Sequence, residues 1–289
     1  MYDIIIIGAG PAGLSAAIYA LRANKKVLIL EANVAGGQII NANEIENYPG
    51  IKNISGFELI SNMLDQVTSL NGEIKYEKVL EVTNNYEVKT KNNTYQAKGI
   101  IVATGLERNK LENTDNLPNI SYCATCDGAF YKGLDVAVVG SGNQAVEDCI
   151  YLSNIVNKVY LIVRKDYLKA HERTVEKLKQ LNNVAVIYNS TITGCLESDG
   201  KLESITINND TKINVNGLFI AIGLHPTNEF LKGTIELTNE GYISSKDGVH
   251  TSKEHVYVAG DTKEKDLRQL VTAVSDGAIA ATMCINEIK

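Results

Sequence analysis

The chain has 289 residues, a formal net charge of −6, 44% hydrophobic, 21% charged and 6% aromatic residues, and no Trp. That apolar content excludes a disordered chain, and the acidic balance argues against nucleic acid or an anionic membrane as the main partner. No apolar run nears the roughly 18–20 residues that cross a bilayer, and at roughly 100–200 residues per domain the length predicts two domains.

In chain order, Met1 leads directly into Tyr2–Ile7, a β-branched run that reads as a strand buried on both faces. No basic stretch precedes it, so no signal peptide is expected and a cytoplasmic location is. Gly8-Ala9-Gly10-Pro11-Ala12-Gly13 follows, then an Ala-rich helix over Leu14–Ala23, then a second strand over Lys26–Leu30 closed by Glu31. The same unit recurs as a strand over Asp135–Val139, the loop Gly140-Ser141-Gly142-Asn143-Gln144-Ala145, a helix over Val146–Ser153 and a strand over Lys158–Val163. The offset is constant, 132 residues from Gly8 to Gly140 and from Val27 to Val159. A long-period repeat of strand, turn, helix and strand predicts an α/β protein of two Rossmann-like, nucleotide-binding domains. The last 45 or so residues hold only a strand (Val256–Ala259), a glycine turn and a small-residue helix (Val271–Ile285), too little for a domain of ordinary size. They are expected to complete the first domain, with the second inserted into it. The expected boundaries are 1–112 and 243–289 for the first domain and 113–242 for the second.

The first glycine loop carries a dinucleotide-site pattern. Gly8 permits the tight turn, Gly10 lets the backbone approach a pyrophosphate, and Gly13 lets helix and strand pack closely. The helix start at Pro11 and Ala12 offers unpaired N–H groups to phosphates, and Glu31 can accept from ribose hydroxyls. The second loop lacks that acid, because Glu31 shifted by 132 residues is Val163. NADH is therefore disfavoured. Arg164, Lys165 and Lys169 lie just beyond and offer point charges for a 2′-phosphate, so the residues leave open a weak NADPH site or a vestigial one.

Of five cysteines, Cys123 and Cys126 form a CxxC pair. No second pair supplies zinc ligands, so a redox dithiol is expected and a metal is not. Asp127 follows directly and reads either as a proton donor and acceptor for the thiols or as a helix cap. Cys149, Cys195 and Cys284 read as buried thiols.

Together these strings resemble the low-molecular-weight flavoprotein thioredoxin reductases along essentially the whole chain. The markers are the loop from Gly8 to Leu14, Gly36-Gly37-Gln38, Glu46-Asn47-Tyr48-Pro49-Gly50, Ala103-Thr104-Gly105, Cys123-Ala124-Thr125-Cys126-Asp127-Gly128, Ala259-Gly260-Asp261 and Arg268-Gln269. The resemblance implies FAD in the first domain, lined by Gly36, Gly37, Gln38 and Asn47, with Ala103, Thr104 and Gly105 in the same site. Gly260 and Asp261 would hold the ribityl–pyrophosphate part, and Arg268, Gln269 and Leu270 would lie near the isoalloxazine. It implies that Cys126 faces the flavin, Cys123 attacks the thioredoxin disulfide and Asp127 moves the proton, in a homodimer. NADPH-using members share a His-Arg-Arg-x-x-x-Arg segment, which here reads Val163-Arg164-Lys165-Asp166-Tyr167-Leu168-Lys169. That departure resembles the branch fed by reduced ferredoxin, so ferredoxin is favoured over NADPH as electron donor. An acidic donor needs a local basic face, for which Lys25/Lys26 and Lys263/Lys265 are the candidates. A flavin-dependent dithiol oxidase, running the same thiol chemistry in reverse, is the alternative activity.

Overall fold

The β-branched run at the N-terminus forms the strand Tyr2–Ile7 in the computed structural model, which describes every residue except Asn43, Glu112, Asn113, Asp115, Asn116 and Lys289. Its side chains alternate between two cores. Ile4 and Ile6 enter one apolar cluster with Leu14, Ala16, Tyr257, Ala280 and Ala281, and Ile5 and Ile7 enter another with Leu28, Val82, Val102 and Val258. Both faces are covered, which is why the run is continuously apolar. Burial of each such side chain contributes about 1.5–3 kcal/mol.

The chain divides into two compact units, Met1–Glu107 with His225–Lys289, and Arg108–Leu224. In the first, the parallel strands Glu73–Tyr76, Val27–Glu31, Tyr2–Ile7 and Thr94–Val102 lie in that order. The free edge of Thr94–Val102 is shared. Its first half pairs antiparallel with Glu87–Thr90, and its second half pairs parallel with Val256–Val258, which returns from the end of the chain. The helices Pro11–Arg22 and Leu270–Glu287 pack closely on one face. A Cβ on Gly277 would collide with the Ala12 carbonyl, and the Ser15 hydroxyl donates to Val274 O at 2.7 Å.

In the second unit the parallel order is Val184–Ile187, Lys158–Ile162, Asp135–Gly140, Gly217–Ala221 and Ile120–Ser121. A three-stranded antiparallel sheet, Ile192–Ser198, Lys201–Ile207 and Thr211–Asn214, accompanies it. The 132-residue repeat is kept to the register: Ile4 pairs with Val27, and Val136 with Val159. Each unit is thus a Rossmann-like fold.

Helices start earlier than the apolar pattern suggests, at Pro11, Asn143 and Leu270. Pro11 is suited to a first helical position, where its missing N–H has no partner to lose. The expected boundary at 112/113 lies outside the described residues. The expected boundary at 242/243 is corrected: residues 225–242 pack in the first unit, because Leu231 and Ile235 enter the cluster of Ile5 and Val258 and the Thr234 hydroxyl donates to Val82 O at 2.6 Å.

Candidate active site

In the first unit the glycine loop is shaped by close backbone approaches. A Cβ on Gly13 would land on the Gly8 carbonyl oxygen and 3.0 Å from its carbon, so only glycine lets the helix start against the loop. Gly10 and Gly37 bring the two turns close together: a Cβ on Gly10 would lie 4.0 Å from the Gly37 Cα, and one on Gly37 3.5 Å from the Gly10 Cα. The Gly36 N–H donates to Ala9 O at 2.8 Å and ties the two glycine turns together. The result is a backbone-walled slot at a helix N-terminus, the shape a pyrophosphate requires.

Glu31 accepts the Ala9 N–H at 2.8 Å through one carboxylate oxygen and the Asn33 N–H at 2.9 Å through the other. Each oxygen keeps a lone pair for a ribose hydroxyl. Gln38 donates to Leu106 O at 3.1 Å, and Asn47 donates to the Gln269 side chain at 3.0 Å. Ala103 forms the floor beneath Gly8, whose absent Cβ would strike the Ala103 carbonyl. Gly105 has φ +64°, a left-handed turn that suits glycine. The Thr104 hydroxyl lies 3.0 Å from that of Thr262 and donates to the Asn228 side chain at 3.2 Å. Asn228 and Thr262 are fully buried and were not legible as site residues, since nothing in their spacing marks them. A Cβ on Gly260 would meet the Ala12 methyl at 2.9 Å, so the C-terminal turn abuts the glycine-loop helix. Leu270 opens the last helix, where Gln269 caps it through Thr272.

Two buried polar atoms of this constellation have no hydrogen-bond partner among the described residues, Asp261 Oδ1 and Arg268 Nε. Burial pushes the Asp261 carboxyl up, opposed by the cations of Lys265 and Arg268. Buried groups left unsatisfied cost about 1–3 kcal/mol each, so an acceptor and a donor kept open fit a polar ligand. The slot, Glu31 and these two atoms together fit FAD. One expectation is corrected: Lys263 and Lys265 are not a basic docking face, because both side chains are buried and paired with Asp276. Lys26 remains exposed, with its ammonium 4.9 Å from the centre of the Tyr2 ring.

In the second unit Cys123 and Cys126 are joined in a disulfide, with Cα atoms 5.3 Å apart. Cys123 is the N-cap of the one-turn helix Ala124–Asp127, and its sulfur accepts the Cys126 N–H at 3.2 Å. Cys126 is exposed and Cys123 half-buried. The amide can hold a thiolate on Cys123 after the bond opens, since a donor that meets developing charge lowers a thiol pKa. Asp127 is held by Ser121, whose hydroxyl lies 2.7 Å from one carboxylate oxygen and itself accepts the Cys123 N–H at 3.0 Å. The Asp127 side chain accepts no hydrogen bond from the turn Gly128–Tyr131 that follows. Ser121 was missed in the sequence, where it reads as an ordinary strand residue. Among the described residues no three His, Cys, Asp or Glu side chains group to hold a metal.

The second glycine loop repeats the first in backbone but not in polar groups. Val163 is wholly buried where Glu31 has its carboxylate. Arg164, Lys165 and Lys169 are exposed, and the Lys165 ammonium donates to the Tyr167 hydroxyl at 3.1 Å. The Lys169 N–H donates to Ser141 O at 2.7 Å, so this cationic segment folds beside the loop. The three remaining cysteines are free. Burial raises all three thiols, Cys149 well above the ordinary thiol range and Cys284 to about 12.

The chain matches the pyridine nucleotide-disulphide oxidoreductase family over residues 2–277. It is 41% identical to a thioredoxin reductase of Borreliella burgdorferi, covering 99% of this chain and 92% of the relative, and 38% identical to a thioredoxin reductase of Bacillus subtilis, covering 97% and 93%. A thioredoxin reductase structure from Lactococcus lactis superposes with a TM-score of 0.87 at 35% identity, covering 100% of this chain and 99% of that one. The chain therefore belongs to the pyridine nucleotide-disulphide oxidoreductase family, among the low-molecular-weight thioredoxin reductases. It is an enzyme of disulfide oxidoreduction.

Proposed function

We propose that the protein reduces the disulfide of thioredoxin, using FAD held in the first unit and the Cys123–Cys126 pair of the second. The observation that carries this reading is the Cys123–Cys126 disulfide with its local amide donor and the anchored Asp127, in a chain whose other unit fits FAD. The pyrophosphate would sit over the Gly10 turn at the helix start of Pro11 and Ala12, beside Gly37, with the adenosine ribose on Glu31 and the rest against Asp261, Arg268, Gln269 and Leu270. Bound FAD supplies a two-electron carrier between donor and disulfide.

The chain's own residues do the thiol chemistry. Opening the Cys123–Cys126 bond consumes two electrons and leaves two sulfurs that share the uptake of protons, with Asp127 as the nearby carboxyl that moves one. The Cys123 thiolate, held by the Cys126 N–H, attacks the thioredoxin disulfide and forms a mixed disulfide, releasing one thioredoxin thiolate. Cys126 then attacks Cys123, releases the second thioredoxin thiolate and restores the internal disulfide. Exposed Phe130, at the end of the redox turn, suits an apolar contact with the incoming protein.

The donor reading favours reduced ferredoxin over NADPH. It is supported by Val163, wholly buried where NADPH-using members carry a histidine, and by Lys165 and Lys169, which stand in place of two arginines, with the Lys165 ammonium engaged by Tyr167. Anaerobic mixing of the oxidised holoenzyme with each donor tests it: fast flavin bleaching by ferredoxin and slow bleaching by NADPH is expected, and fast bleaching by micromolar NADPH overturns it. A homodimer is part of the same reading, and the partly exposed Val271, Ile279 and Met283 of the last helix give it an apolar face. Light scattering at twice the chain mass is the expected result. A cytoplasmic location accords with three unpaired cysteines. Peroxide release with a small dithiol and no turnover of thioredoxin would replace this function by that of a dithiol oxidase.

A further inference from the structure

The run Thr262-Lys263-Glu264-Lys265-Asp266 reads in sequence as a candidate basic face, yet two of its cations are the most buried lysine side chains in the ion pairs among the described residues. Only 8% of the Lys263 side chain and 10% of the Lys265 side chain are exposed, and their shared partner Asp276 is 13% exposed. Lys263 Nζ donates to Asp276 Oδ1 at 2.7 Å and to Gly248 O at 2.6 Å. Lys265 Nζ donates to Asp276 Oδ2 at 2.8 Å and to the Thr272 hydroxyl at 3.1 Å, and lies 3.6 Å from Asp261 Oδ1. Asp276 Oδ2 also accepts the Gly260 N–H at 3.2 Å. One carboxylate on the last helix therefore fixes two ammonium groups and the backbone of the Gly260–Asp261 turn.

Three charges withdrawn from water are costly, and a well-packed apolar trio would serve stability as well or better. The geometry points to a use beyond cohesion. We propose that Lys263, Asp276 and Lys265 are positioning residues for the flavin, setting the Gly260–Asp261 turn so that the Asp261 carboxyl group meets the cofactor in a fixed place. Lys263 orients Asp276, Asp276 holds the Gly260 amide and Lys265, and Lys265 places a cation beside an Asp261 oxygen that has no hydrogen-bond partner among the described residues. Without that cation, burial favours the neutral acid. The proposal rests on the FAD reading of the site.

The test compares Lys265→Met and Lys265→Arg holoenzymes with wild type, since both leave the Lys263–Asp276 pair in place. Flavin release on serial dilution gives the FAD dissociation constant, and the flavin band and midpoint potential are recorded alongside melting. Lys265→Met is expected to weaken FAD about tenfold or more, the scale of one charge-assisted hydrogen bond, and to shift the potential. Lys265→Arg is expected to stay within about threefold of wild type on the same scale. A Lys265→Met protein that melts lower but keeps the wild-type dissociation constant and potential overturns the positioning role and leaves FAD binding intact. A wild-type protein purified without flavin, and unable to take it up, overturns the FAD reading and this proposal with it.

Discussion

Gly10 and Gly13 sit in one loop, yet replacing them should damage different properties. At Gly13 the new methyl has no room, with the Gly8 carbonyl oxygen in its place, the Gly8 carbon at 3.0 Å and Ile6 Cγ2 at 3.4 Å. The obstruction is backbone, so the helix must lift from the strand, a cost at or above the upper end of the 1–3 kcal/mol typical of overpacking. At about 2–4 °C per kcal/mol, the Gly13→Ala apoprotein should melt several degrees lower. At Gly10 the backbone is already ordinary, φ −76°, and the nearest atom to a new methyl is 4.0 Å away. The loss of a favourable cap residue and the gain in chain stiffness are both under about 1 kcal/mol and oppose each other. Gly10→Ala should therefore leave the apoprotein's melting nearly unchanged. Its methyl stands in the slot facing Gly37, so the cost falls on the cofactor, about 1–3 kcal/mol of overpacking or roughly 5- to 150-fold in FAD affinity. Melting of the apoproteins with flavin fluorescence titration measures both. FAD bound by Gly10→Ala as tightly as by wild type would refute the slot, and unchanged melting of Gly13→Ala would refute the packing.

Three further outcomes follow from other parts of the molecule. The oxidised native protein should show no fast-reacting thiol with a disulfide reagent, since Cys149 and Cys284 are buried and Cys195 has a raised pKa, and two should appear on reduction. Asp127→Asn should slow thiol–disulfide exchange by about 10²–10⁴-fold, the range of positioned acid–base catalysis, and Ser121→Ala should slow it less while leaving the flavin spectrum unchanged. His250 bridges Asp247 and Glu287, and Glu287 in turn accepts from the buried Tyr257 phenol at 2.7 Å. The Asp247 partner, then Glu287, raises the His250 pKa, so its stabilisation is full below the unfolded value and is lost as pH rises through the raised folded value. Asp247 and Glu287 are depressed, and their contribution is lost as pH falls through their folded values. Melting should accordingly be best in weakly acidic buffer, and His250→Gln should flatten the decline on the alkaline side. An unchanged slope there would discard the bridge.

Much of this architecture was readable because it is written in local, periodic terms. The Ile run, the glycine spacings and the 132-residue repeat are set by strand and turn geometry, and they reappear down to individual strand partners. What stayed hidden depends on partners distant in the chain. Lys263 and Lys265 look like a solvated pair until Asp276, one helix away, is placed against them. Ser121 supports Asp127 only because a short strand end and a one-turn helix meet. Residues 225–242 have no regular period, so their membership of the first unit rests on the burial of Leu231 and Ile235.

The central claim is that the Cys123–Cys126 pair carries electrons to thioredoxin. It is tested most directly by reducing the holoenzyme fully with dithionite, removing the reductant and adding excess oxidised thioredoxin without oxygen. Wild type should deliver its stored electrons to thioredoxin as thiols, while Cys123→Ser and Cys126→Ser, with flavin still bound, should release no reduced thioredoxin. Release of reduced thioredoxin by either variant would contradict the account.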